Sequence, residues 1–483
     1  MATYMKPCVP LPIDAKVLED VSEKAKDWAL MHGVAMRSKQ NFSKDSVTFA
    51  PFLLLPSTFP RPEFERAVNI QTVLNTLVHR VAHDFEFLRS SLSNTIKVDD
   101  FTGRLFSIYE KVLEEGITQG ISLGLLRSDY FIDVPQFAVK QVEINTVATS
   151  LAGVSTVLVD CHRFTLTELG HRDKLKNLPE NGALAGLSNG MLKAWEIYDR
   201  PTAAILFLVE DVTFNICDQR FHEFEIQKLN PDVRTIRKTL TEVAFQGTLD
   251  SEKRLFIDGV EIALVYFRSG YSPDQYHTNT EWNARLLMER SRAIKCPSIY
   301  YHLAGTKKIQ QELARPGVLE KFLDDPADVC AVRRIFTGLY SLDQGEAGDK
   351  SIEMAIENPR KYVLKPQREG GGNNVYDEEI KDQLEKIRNT PERDAWILME
   401  KIQPPLQKNY MIRPALSEPL YTDFVSELGI YGVIIGDAET IIENKYVGHM
   451  LRTKVSSANE GGVAAGWGAL DSVYLVDPCE LLE

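Results

Sequence analysis

Two short and almost unbroken apolar runs constrain the fold of this chain more than any other feature. They occupy residues 202–209 and 262–267. Strands of this kind are usually covered on both faces, which predicts a sheet with helices on either side. Residues 61–126 mostly carry apolar side chains at helical spacing, and residues 137–145 have a strand pattern. The alternation predicts a mixed α/β (α+β) fold with more than one domain.

The two ends of the chain add further predicted elements. Residues 13–31 form an amphipathic pattern, which predicts a helix rather than a signal peptide. In the C-terminal third a polar helix is predicted at residues 378–388, and a turn at Gly436-Asp437. The strand candidates of this third are residues 362–364, 396–402, 424–435 and 440–445.

The composition limits the classes of partner. The 483 residues carry a formal net charge of −13 and are 44% hydrophobic. A net negative charge argues against nucleic acid or an anionic membrane as the main partner, and no apolar run is long enough to span a bilayer. The six cysteines are scattered without a CxxC pair, which predicts reduced thiols in a cytoplasmic protein.

The segment Lys365-Pro-Gln-Arg-Glu-Gly-Gly-Gly-Asn-Asn-Val-Tyr376 carries the strongest chemical signal. It leaves a predicted strand and enters three glycines, whose backbone can approach a ligand closely and turn amide N–H groups toward phosphate oxygens. Lys365 and Arg368 supply positive charge, and Glu369 offers the hard oxygen ligand that nucleotide-bound Mg²⁺ requires. Taken alone, the segment is either a phosphate-binding loop or a charged turn.

Two further clusters are each open to two interpretations. Glu143 and Asn145 alternate along a predicted strand, so they share one face. Val142 and Ile144 are then expected to point into the core. The shared face is either a site for a divalent cation or a solvated edge. The small-residue segment 456–466 is either a lid over a ligand or a surface loop.

One segment matches a motif of a different enzyme class but lacks the structural context that the motif requires. Gly186-Leu-Ser-Asn-Gly190 matches the G-x-S-x-G elbow of serine hydrolases. That elbow requires a buried strand immediately before it, whereas the preceding residues predict a loop. We therefore interpret Ser188 or Asn189 as the N-cap of a helix over residues 191–198.

Taken as an ordered set, these segments resemble the eukaryotic glutathione synthetase family. The resemblance runs from about residue 17 to residue 466, nearly the whole chain, and is far more specific than any single motif. The segments that carry it are Lys365 to Tyr376, Glu143-Ile-Asn145, Gly305-Thr-Lys-Lys308, Met399-Glu-Lys-Ile402, Ser426-Glu-Leu-Gly-Ile430 and Gly461-Gly-Val-Ala-Ala-Gly466.

The resemblance implies an ATP-grasp fold with an inserted parallel-sheet substrate domain and a mobile lid. It places the N-terminal helical part and the first strands of the core in residues 1–200, and the substrate-binding domain in residues 201–304. The rest of the core occupies residues 305–483, including a lid at about residues 340–420 and a closing loop at residues 456–466.

The implied activity is the ATP-dependent ligation of γ-glutamylcysteine to glycine, with ATP and Mg²⁺ as cofactors and a homodimeric assembly. The dipeptide carboxylate accepts the γ-phosphoryl group of ATP, and the glycine amine then attacks the acyl phosphate. Catalysis of this kind rests on positioning and charge neutralisation.

The same resemblance implies overlapping sets of site residues. The implied magnesium ligands are Glu143, Asn145 and Glu369, and the implied catalytic residues are Arg127, Ser150, Gly371 and Arg452. The implied ATP-binding residues are Glu143, Lys307, Lys365, Glu369, Gly370, Gly371, Gly372, Asn373, Asn374, Tyr376, Met399, Glu400, Lys401, Ile402, Glu427, Lys454 and Glu460. The implied dipeptide-binding residues are Arg127, Val147, Ala148, Thr149, Ser150, Asn215, Gln219, Arg268, Ser269, Gly270, Tyr271, Arg452, Val463 and Ala464.

The chain departs from the family pattern mainly around the dipeptide. Thr213 and Phe214 replace a Glu-Arg pair. Ala148 replaces a hydroxyl residue and Ser269 replaces an Asp, while Glu460 stands for Asp in the closing loop. Two alternatives follow from these departures. Beside the implied activity, the first alternative is a ligase with another small amino acid as acceptor, such as alanine or serine. The second is a catalytically silent paralogue that binds nucleotide or thiol ligands.

Overall fold

The computed structural model describes residues 3–414, 416–463 and 468–482. Helices and strands alternate along the chain, as the mixed α/β (α+β) prediction requires. The helices are α1 (Ala15–Met31), α2 (Arg61–Ala82), α3 (Phe85–Leu92), α4 (Thr95–Val98), α5 (Asp100–Glu115), α6 (Ala152–Glu168), α7 (Ala183–Tyr198), α8 (Ile216–Leu229), α9 (Leu240–Gln246), α10 (Asn279–Glu289), α11 (Ile299–Ala304), α12 (Lys307–Leu313), α13 (Leu319–Phe322), α14 (Pro326–Ile335), α15 (Glu346–Glu357) and α16 (Glu378–Ile387).

The strands fall into one large sheet and three small ones. They are β1 (Ala35–Met36), β2 (Thr48–Phe49), β3 (Phe52–Leu53), β4 (Ser57–Pro60), β5 (Ser122–Asp133), β6 (Ala138–Asn145), β7 (Ala204–Leu208), β8 (Thr235–Lys238), β9 (Gly247–Leu249), β10 (Leu255–Ile257), β11 (Val260–Phe267), β12 (Ile294–Cys296), β13 (Leu339–Ser341), β14 (Tyr362–Pro366), β15 (Val375–Tyr376), β16 (Trp396–Glu400), β17 (Gln407–Ile412), β18 (Leu420–Gly436), β19 (Ile441–Val455), β20 (Gly468–Asp471) and β21 (Val473–Val476).

The large sheet has 13 strands and two halves of different character. Its path is β17-β3-β20-β19-β18-β5-β12-β11-β10-β9, with β6 also paired to β5, and with β7 and β8 continuing from β11. Strand β5 pairs antiparallel with β18 and β6 but parallel with β12. Strand β5 therefore joins the antiparallel region around β18 to the parallel strands β12, β11, β7 and β8, while β10 and β9 at the far edge are antiparallel.

Strand β7 shows why its apolar run is almost unbroken. Ala204, Leu206 and Leu208 face one apolar core, whereas Ile205 and Phe207 face a second core on the other side of the sheet. All five side chains are 0% exposed. Helix α2 contributes to the first core and helix α7 to the second. The prediction of a sheet covered by helices on both faces is confirmed.

A separate antiparallel sheet of four strands has the order β13-β16-β14-β15. Helices α15 and α16 pack on it, and its apolar side chains form a core of their own. This sheet delivers the glycine-rich segment, because that segment connects β14 to β15. The predicted strands of the C-terminal third are confirmed as β14, β16, β18 and β19, and the predicted polar helix as α16.

The predicted helical region 61–126 extends too far. Helices α2 to α5 occupy most of it, but residues 122–126 already belong to strand β5. Leu123 and Leu125 face one core and Leu126 faces the other, so the strand is apolar on both faces. A short apolar run of this kind cannot be distinguished from a helix by periodicity alone.

The predicted N-cap at Ser188 or Asn189 is wrong, because helix α7 begins at Ala183 and both residues lie inside it. The backbone N–H of Ala183 donates to Asn181 Oδ1 at 3.2 Å, so an earlier residue stabilises the helix start. The glycines of the elbow-like motif serve close packing instead. A Cβ atom on Gly186 would lie 2.4 Å from Val447 Cβ.

None of the described helices combines the length and the apolar character that crossing a membrane requires.

Candidate functional site

A central cleft lies where the large sheet meets the four-stranded sheet. Strands β5, β6, β18 and β19 contribute one wall, and the glycine-rich segment after β14 contributes the opposite wall. The predicted site residues that line it are Arg127, Glu143, Asn145, Val147, Ala148, Thr149, Ser150, Asn215, Arg268, Tyr271, Lys307, Lys365, Glu369, Gly370, Gly371, Asn373, Asn374, Tyr376, Glu427, Arg452, Lys454, Glu460 and Val463.

The other predicted site residues lie elsewhere. Met399 is buried on β16 and Glu400 faces solvent. Gln219 lies behind the cleft wall, where its Nε2 donates to Asn215 Oδ1 at 2.9 Å. Ala464 lies outside the described residues. The predicted residues that are described but do not line the cleft are Gly372, Met399, Glu400, Lys401, Ile402, Gln219, Ser269 and Gly270.

One part of the cleft, around Lys307, Glu143 and Glu369, is here called the glycine-loop end. Lys307 Nζ lies 3.2 Å from Glu143 Oε2 and 2.8 Å from Glu369 Oε1. Burial alone would raise the pKa of Glu143, but Lys307 and Lys365 outweigh it and hold that pKa far below its usual range. Burial raises the pKa of Glu369, and the nearby charge of Glu143 raises it further. Lys307 offsets these two effects only in part. The glycine-loop end therefore buries charges that neutralise one another.

The donor groups at this end fit a magnesium ion that arrives with a nucleotide. Asn145 Nδ2 donates to Asp129 Oδ2 at 3.0 Å, which leaves its amide oxygen available beside the two carboxylates. Mg²⁺ is usually held by one or two carboxylates together with phosphate oxygens and water. Within the described ranges no three His, Cys, Asp or Glu side chains form a metal-binding group. The donor set therefore suits a cation that phosphate oxygens help to hold.

Three consecutive glycines follow Glu369, and the first two of them line the cleft. Gly370, Gly371 and Gly372 have φ values of +95°, +72° and +77°, a left-handed region that other residues rarely adopt. Successive N–H groups in such a conformation form a concave site for anions. Arg368 does not add its charge to this site, because its Nη1 pairs with Asp99 Oδ2 at 2.5 Å. Arg368 therefore anchors the loop to the start of helix α5.

A bulge in β6 changes which side chains face the cleft. The register of β6 against β5 shifts at Val142. Ile144 packs against the core as predicted, but Val142 lines the cleft, so its predicted position in the core is wrong. Bulges redirect side chains in this way because two residues oppose one. The carbonyl oxygen of Val142 accepts a hydrogen bond from Lys365 Nζ at 3.0 Å.

A second part of the cleft, around Arg268 and Tyr271, is here called the Arg268 end; it adjoins the glycine-rich loop at Tyr271, because a Cβ atom on Gly370 would lie 3.5 Å from Tyr271 Cε2. Arg268 is 4% exposed. Its Nη1 donates to the carbonyl oxygens of Ala148 and Thr149 at 3.2 and 2.7 Å, and its Nη2 lies 3.3 Å from Asp218 Oδ2. Asp218 in turn accepts two backbone N–H groups of the same loop. Arg268 and Asp218 together fix the loop that follows β6.

Two arginines lie between the ends. Arg127 Nε and Nη2 donate to the two oxygens of Asp129 at 2.7 and 2.8 Å. Arg452 Nε and Nη2 donate to the two oxygens of Glu427 at 2.9 and 2.8 Å. Arg127 Nη1 donates to the carbonyl oxygen of Ser150 at 3.2 Å. In both arginines the edge formed by Nε and Nη2 could bind a substrate carboxylate with two hydrogen bonds, but a carboxylate of the protein already occupies it.

Sequence reasoning assigned no role in the site to two acidic residues of this region. Asp129 is 0% exposed under Arg127, and its signal is the alternation Arg127-Ser-Asp129 on a buried strand. Glu210 lines the cleft and comes two residues after the end of β7. Its signal is a charged side chain just beyond the carboxyl end of a buried parallel strand.

Comparisons with known proteins agree on one family. A family model for the ATP-binding domain of eukaryotic glutathione synthase matches residues 15–475. The chain is 48% identical to glutathione synthetase of Xenopus laevis over 468 residues, which cover 96% of this chain and 98% of that protein. It is 46% identical to glutathione synthetase of Homo sapiens, with the same coverage of both.

A solved structure is similar over the full length. The apo form of a glutathione synthetase-like effector, GSS30 from Globodera pallida, matches with a TM-score of 0.78 and 26% sequence identity. The match covers 98% of this chain and 100% of that chain.

Proposed function

Because this chain belongs to the eukaryotic glutathione synthetase family and is an ATP-dependent ligase, we propose that its central cleft joins γ-glutamylcysteine to glycine. One observation carries the assignment to this cleft. Two buried lysines and two partly buried carboxylates lie beside a run of three glycines with positive φ, which is the chemistry that a nucleotide triphosphate and its cation require.

The chain's own residues act by holding charge in place. Lys307 and Lys365 neutralise the phosphoryl oxygens as the γ-phosphoryl group moves to the dipeptide carboxylate. The Nη1 group of Arg452 is left to orient that carboxylate, because its forked edge already binds Glu427. Arg127 Nη1 donates to the carbonyl oxygen of Ser150, so Arg127 positions the loop beside the carboxylate. The glycine amine then attacks the acyl phosphate, and phosphate leaves. Orientation of this kind replaces a protein nucleophile.

Magnesium would be held by Glu143, Asn145 and Glu369, and it would neutralise the phosphate groups of bound ATP. We propose that the four-stranded sheet is the lid over the nucleotide, since β14 carries Lys365 into the cleft.

The small-residue loop after β19 supports a closing role. Tyr376 donates its hydroxyl to Glu460 Oε1 at 3.2 Å, and Lys454 Nζ donates to the carbonyl oxygen of Asn459 at 2.6 Å. These contacts join the loop to both walls of the cleft. Closure of a loop over an acyl phosphate excludes the water that would hydrolyse it.

We further propose a homodimer in the cytoplasm. All six cysteines are free thiols, as expected in a reducing compartment. Met31 at the end of α1 and Phe224 on α8 are 82% and 61% exposed, and these large apolar side chains suit an interface between subunits. Sedimentation equilibrium of the purified protein tests the assembly, and a monomer at micromolar concentration would contradict it.

The activity is tested by ADP release from ATP with γ-glutamylcysteine and a panel of acceptors. We expect turnover with glycine and much slower turnover with alanine or serine. A preference for another acceptor would establish the alternative ligase, and no ADP release with any acceptor would favour the silent paralogue.

The site assignment is tested by Glu369→Ala, which removes a carboxylate from the glycine-loop end. We expect turnover to fall by about 10³-fold or more, because the charge that positions the cation is lost. Glu385→Ala is the control, since this acid lies on the same four-stranded module with its side chain 52% exposed. An unchanged rate in Glu369→Ala would refute the site.

A further inference from the structure

Glu210 lies at a position where two parallel strands deliver side chains to the cleft. Strands β7 and β11 are adjacent and parallel, with Leu208 opposite Phe267. Glu210 follows the first strand, and Arg268 and Tyr271 follow the second. The carboxyl ends of parallel strands are where open sheets of this kind bind ligands. Glu210 therefore belongs to the Arg268 end of the cleft.

The direct contacts of Glu210 are hydrogen bonds from neutral groups, while Arg268 and Lys39 act on its carboxylate only from beyond ion-pair distance. Tyr271 donates its hydroxyl to Glu210 Oε1 at 3.0 Å, and Gln275 Nε2 donates to the same oxygen at 3.3 Å. Across residues 3–414, 416–463 and 468–482, no Lys, Arg or His nitrogen lies within 4.0 Å of this carboxylate. Both contacts hold the side chain in place, but neither supplies a positive charge.

Three other carboxylates that line the cleft form ion pairs with a lysine or an arginine, whereas Glu460, like Glu210, accepts a tyrosine hydroxyl. Glu143 and Glu369 share Lys307, and Glu427 pairs with Arg452. Glu460 lies at the glycine-loop end, where it accepts the hydroxyl of Tyr376. At the Arg268 end, burial raises the pKa of Glu210, as expected for a carboxylate that a cation would stabilise in its ionised form.

We propose that Glu210 binds the primary ammonium group at the γ-glutamyl end of the dipeptide. A single carboxylate with one free oxygen suits an ammonium group, which it binds by a charge-assisted hydrogen bond. It does not suit Mg²⁺, which requires several oxygen ligands. Arg268 on the neighbouring strand supplies the opposite charge for the carboxylate of the same amino-acid group. The inference rests on the proposed function for the identity of the dipeptide.

The experiment compares two ligands that differ only in that ammonium group. Binding of γ-glutamylcysteine and of glutarylcysteine, which lacks the α-amino group, is measured by calorimetry with the full chain. Wild-type protein is expected to bind γ-glutamylcysteine about 10-fold to 100-fold more tightly, the range for one hydrogen bond between charged groups. In Glu210→Gln the two affinities should differ by less than about 3-fold.

Asp211→Asn is the matched control. This neighbouring acid has the same change of charge, but its side chain is 66% exposed and contacts His277 outside the cleft. It should keep the wild-type ratio of affinities. Glu210→Asp retains the carboxylate on a shorter arm and should lie between wild type and Glu210→Gln.

Two outcomes would overturn the inference. Wild-type protein that binds both ligands equally has no ammonium site, whatever the variants do. A Glu210→Gln protein that still prefers γ-glutamylcysteine to the wild-type extent places the ammonium group elsewhere. Because binding is measured without turnover, the readout is separate from the ligase test. A wild-type protein that discriminates between the ligands but releases no ADP would support the ammonium site and contradict the proposed function.

Discussion

The two ends of the cleft handle buried charge in different ways. At the glycine-loop end, Lys307 and its neighbours neutralise one another through side-chain ion pairs. At the Arg268 end, the guanidinium is held mainly by backbone carbonyl oxygens, and Glu210 has only neutral donors. At the glycine-loop end the side-chain charges are already paired without a ligand, so a bound substrate replaces one of these ion-pair partners. The arrangement at the Arg268 end is complete only when a ligand supplies the missing charge.

The largest effect is expected from Lys307→Met, which breaks the glycine-loop end. Glu143 and Glu369 would then be buried without their shared cation. We expect kcat to fall by about 10³-fold or more, and the free energy of unfolding to fall by about 3–5 kcal/mol without magnesium and ATP. Adding both should restore part of the lost stability, which thermal denaturation measures.

Lys308→Met is the control for that variant, because Lys308 Nζ pairs with Glu312 and Asp343 outside the cleft. It should lower stability but retain a kcat within a few-fold of wild type. A Lys307→Met enzyme with near-normal kcat would contradict the assigned role.

Asp129→Asn tests the region between the two ends of the cleft, where Arg127 and Arg452 lie. This region is here called the junction. The change leaves Arg127 buried without its carboxylate, so the guanidinium can turn away from its position under the Ser150 loop. We expect kcat/KM for the dipeptide to fall by about 10-fold to 100-fold because orientation is lost. ATP affinity should fall by less, because Asp129 reaches the glycine-loop end only through its hydrogen bond from Asn145 Nδ2. A fall in ATP affinity as large as that in kcat/KM would show that the junction is not separate from the glycine-loop end.

Arg268→Lys tests whether the Arg268 end binds the dipeptide and not ATP. Lysine keeps the charge but cannot donate to Asp218 and to two carbonyl oxygens in one plane. We expect KM for γ-glutamylcysteine to rise by about 10-fold to 100-fold with KM for ATP unchanged. Steady-state kinetics with each substrate varied in turn measures the difference, and equal changes in the two KM values would contradict it.

The smallest effect on activity is expected from Asp471→Asn, at a buried carboxylate outside the cleft. Asp471 accepts hydrogen bonds from Thr453 and Ser472, and burial raises its pKa to about 7. A raised folded-state pKa stabilises the protein below about pH 4, and this contribution is lost as the pH rises through about 7.

Wild-type stability should therefore contain a component that falls by at most about 1.4 kcal/mol per pH unit across that window. Asp471→Asn should lack this component, with kcat close to wild type. Denaturant unfolding of both proteins from pH 4.5 to 7.5 measures the difference. Identical pH profiles would show that the carboxyl group of Asp471 does not titrate there.

The fold was predictable where one local pattern decides the structure. The runs around β7 and β11 have apolar side chains toward two cores, so their burial on both faces was readable from the sequence. Residues 122–126 and the start of α7 were not, because their conformation depends on partners far along the chain. Strand β5 is fixed by its pairing with β18, and α7 packs Gly186 against Val447 and Gly190 against Val433.

The residues of the site likewise fall into those that a local pattern predicts and those that depend on contacts elsewhere in the chain. Lys365 to Tyr376 was predictable because its chemistry lies within one short segment. The bulge at Val142 was not, since a shift in register depends on the neighbouring strand. Glu210 acquires its significance only from a tertiary contact with Tyr271, 61 residues away, whereas Asp129 pairs with Arg127 two residues before it on the same strand.

The closing loop leaves the sheet and rejoins it at the same place, since Lys454 on β19 is paired with Gly468 on β20. The ends of the loop are thus fixed by the sheet itself, whatever chain connects them. The chain entropy of such a connection grows only with the logarithm of its length, by about 0.6 kcal/mol for each doubling. Insertions and deletions in this loop should therefore cost little stability, so its length can vary among related proteins while the sheet that holds its two ends stays the same.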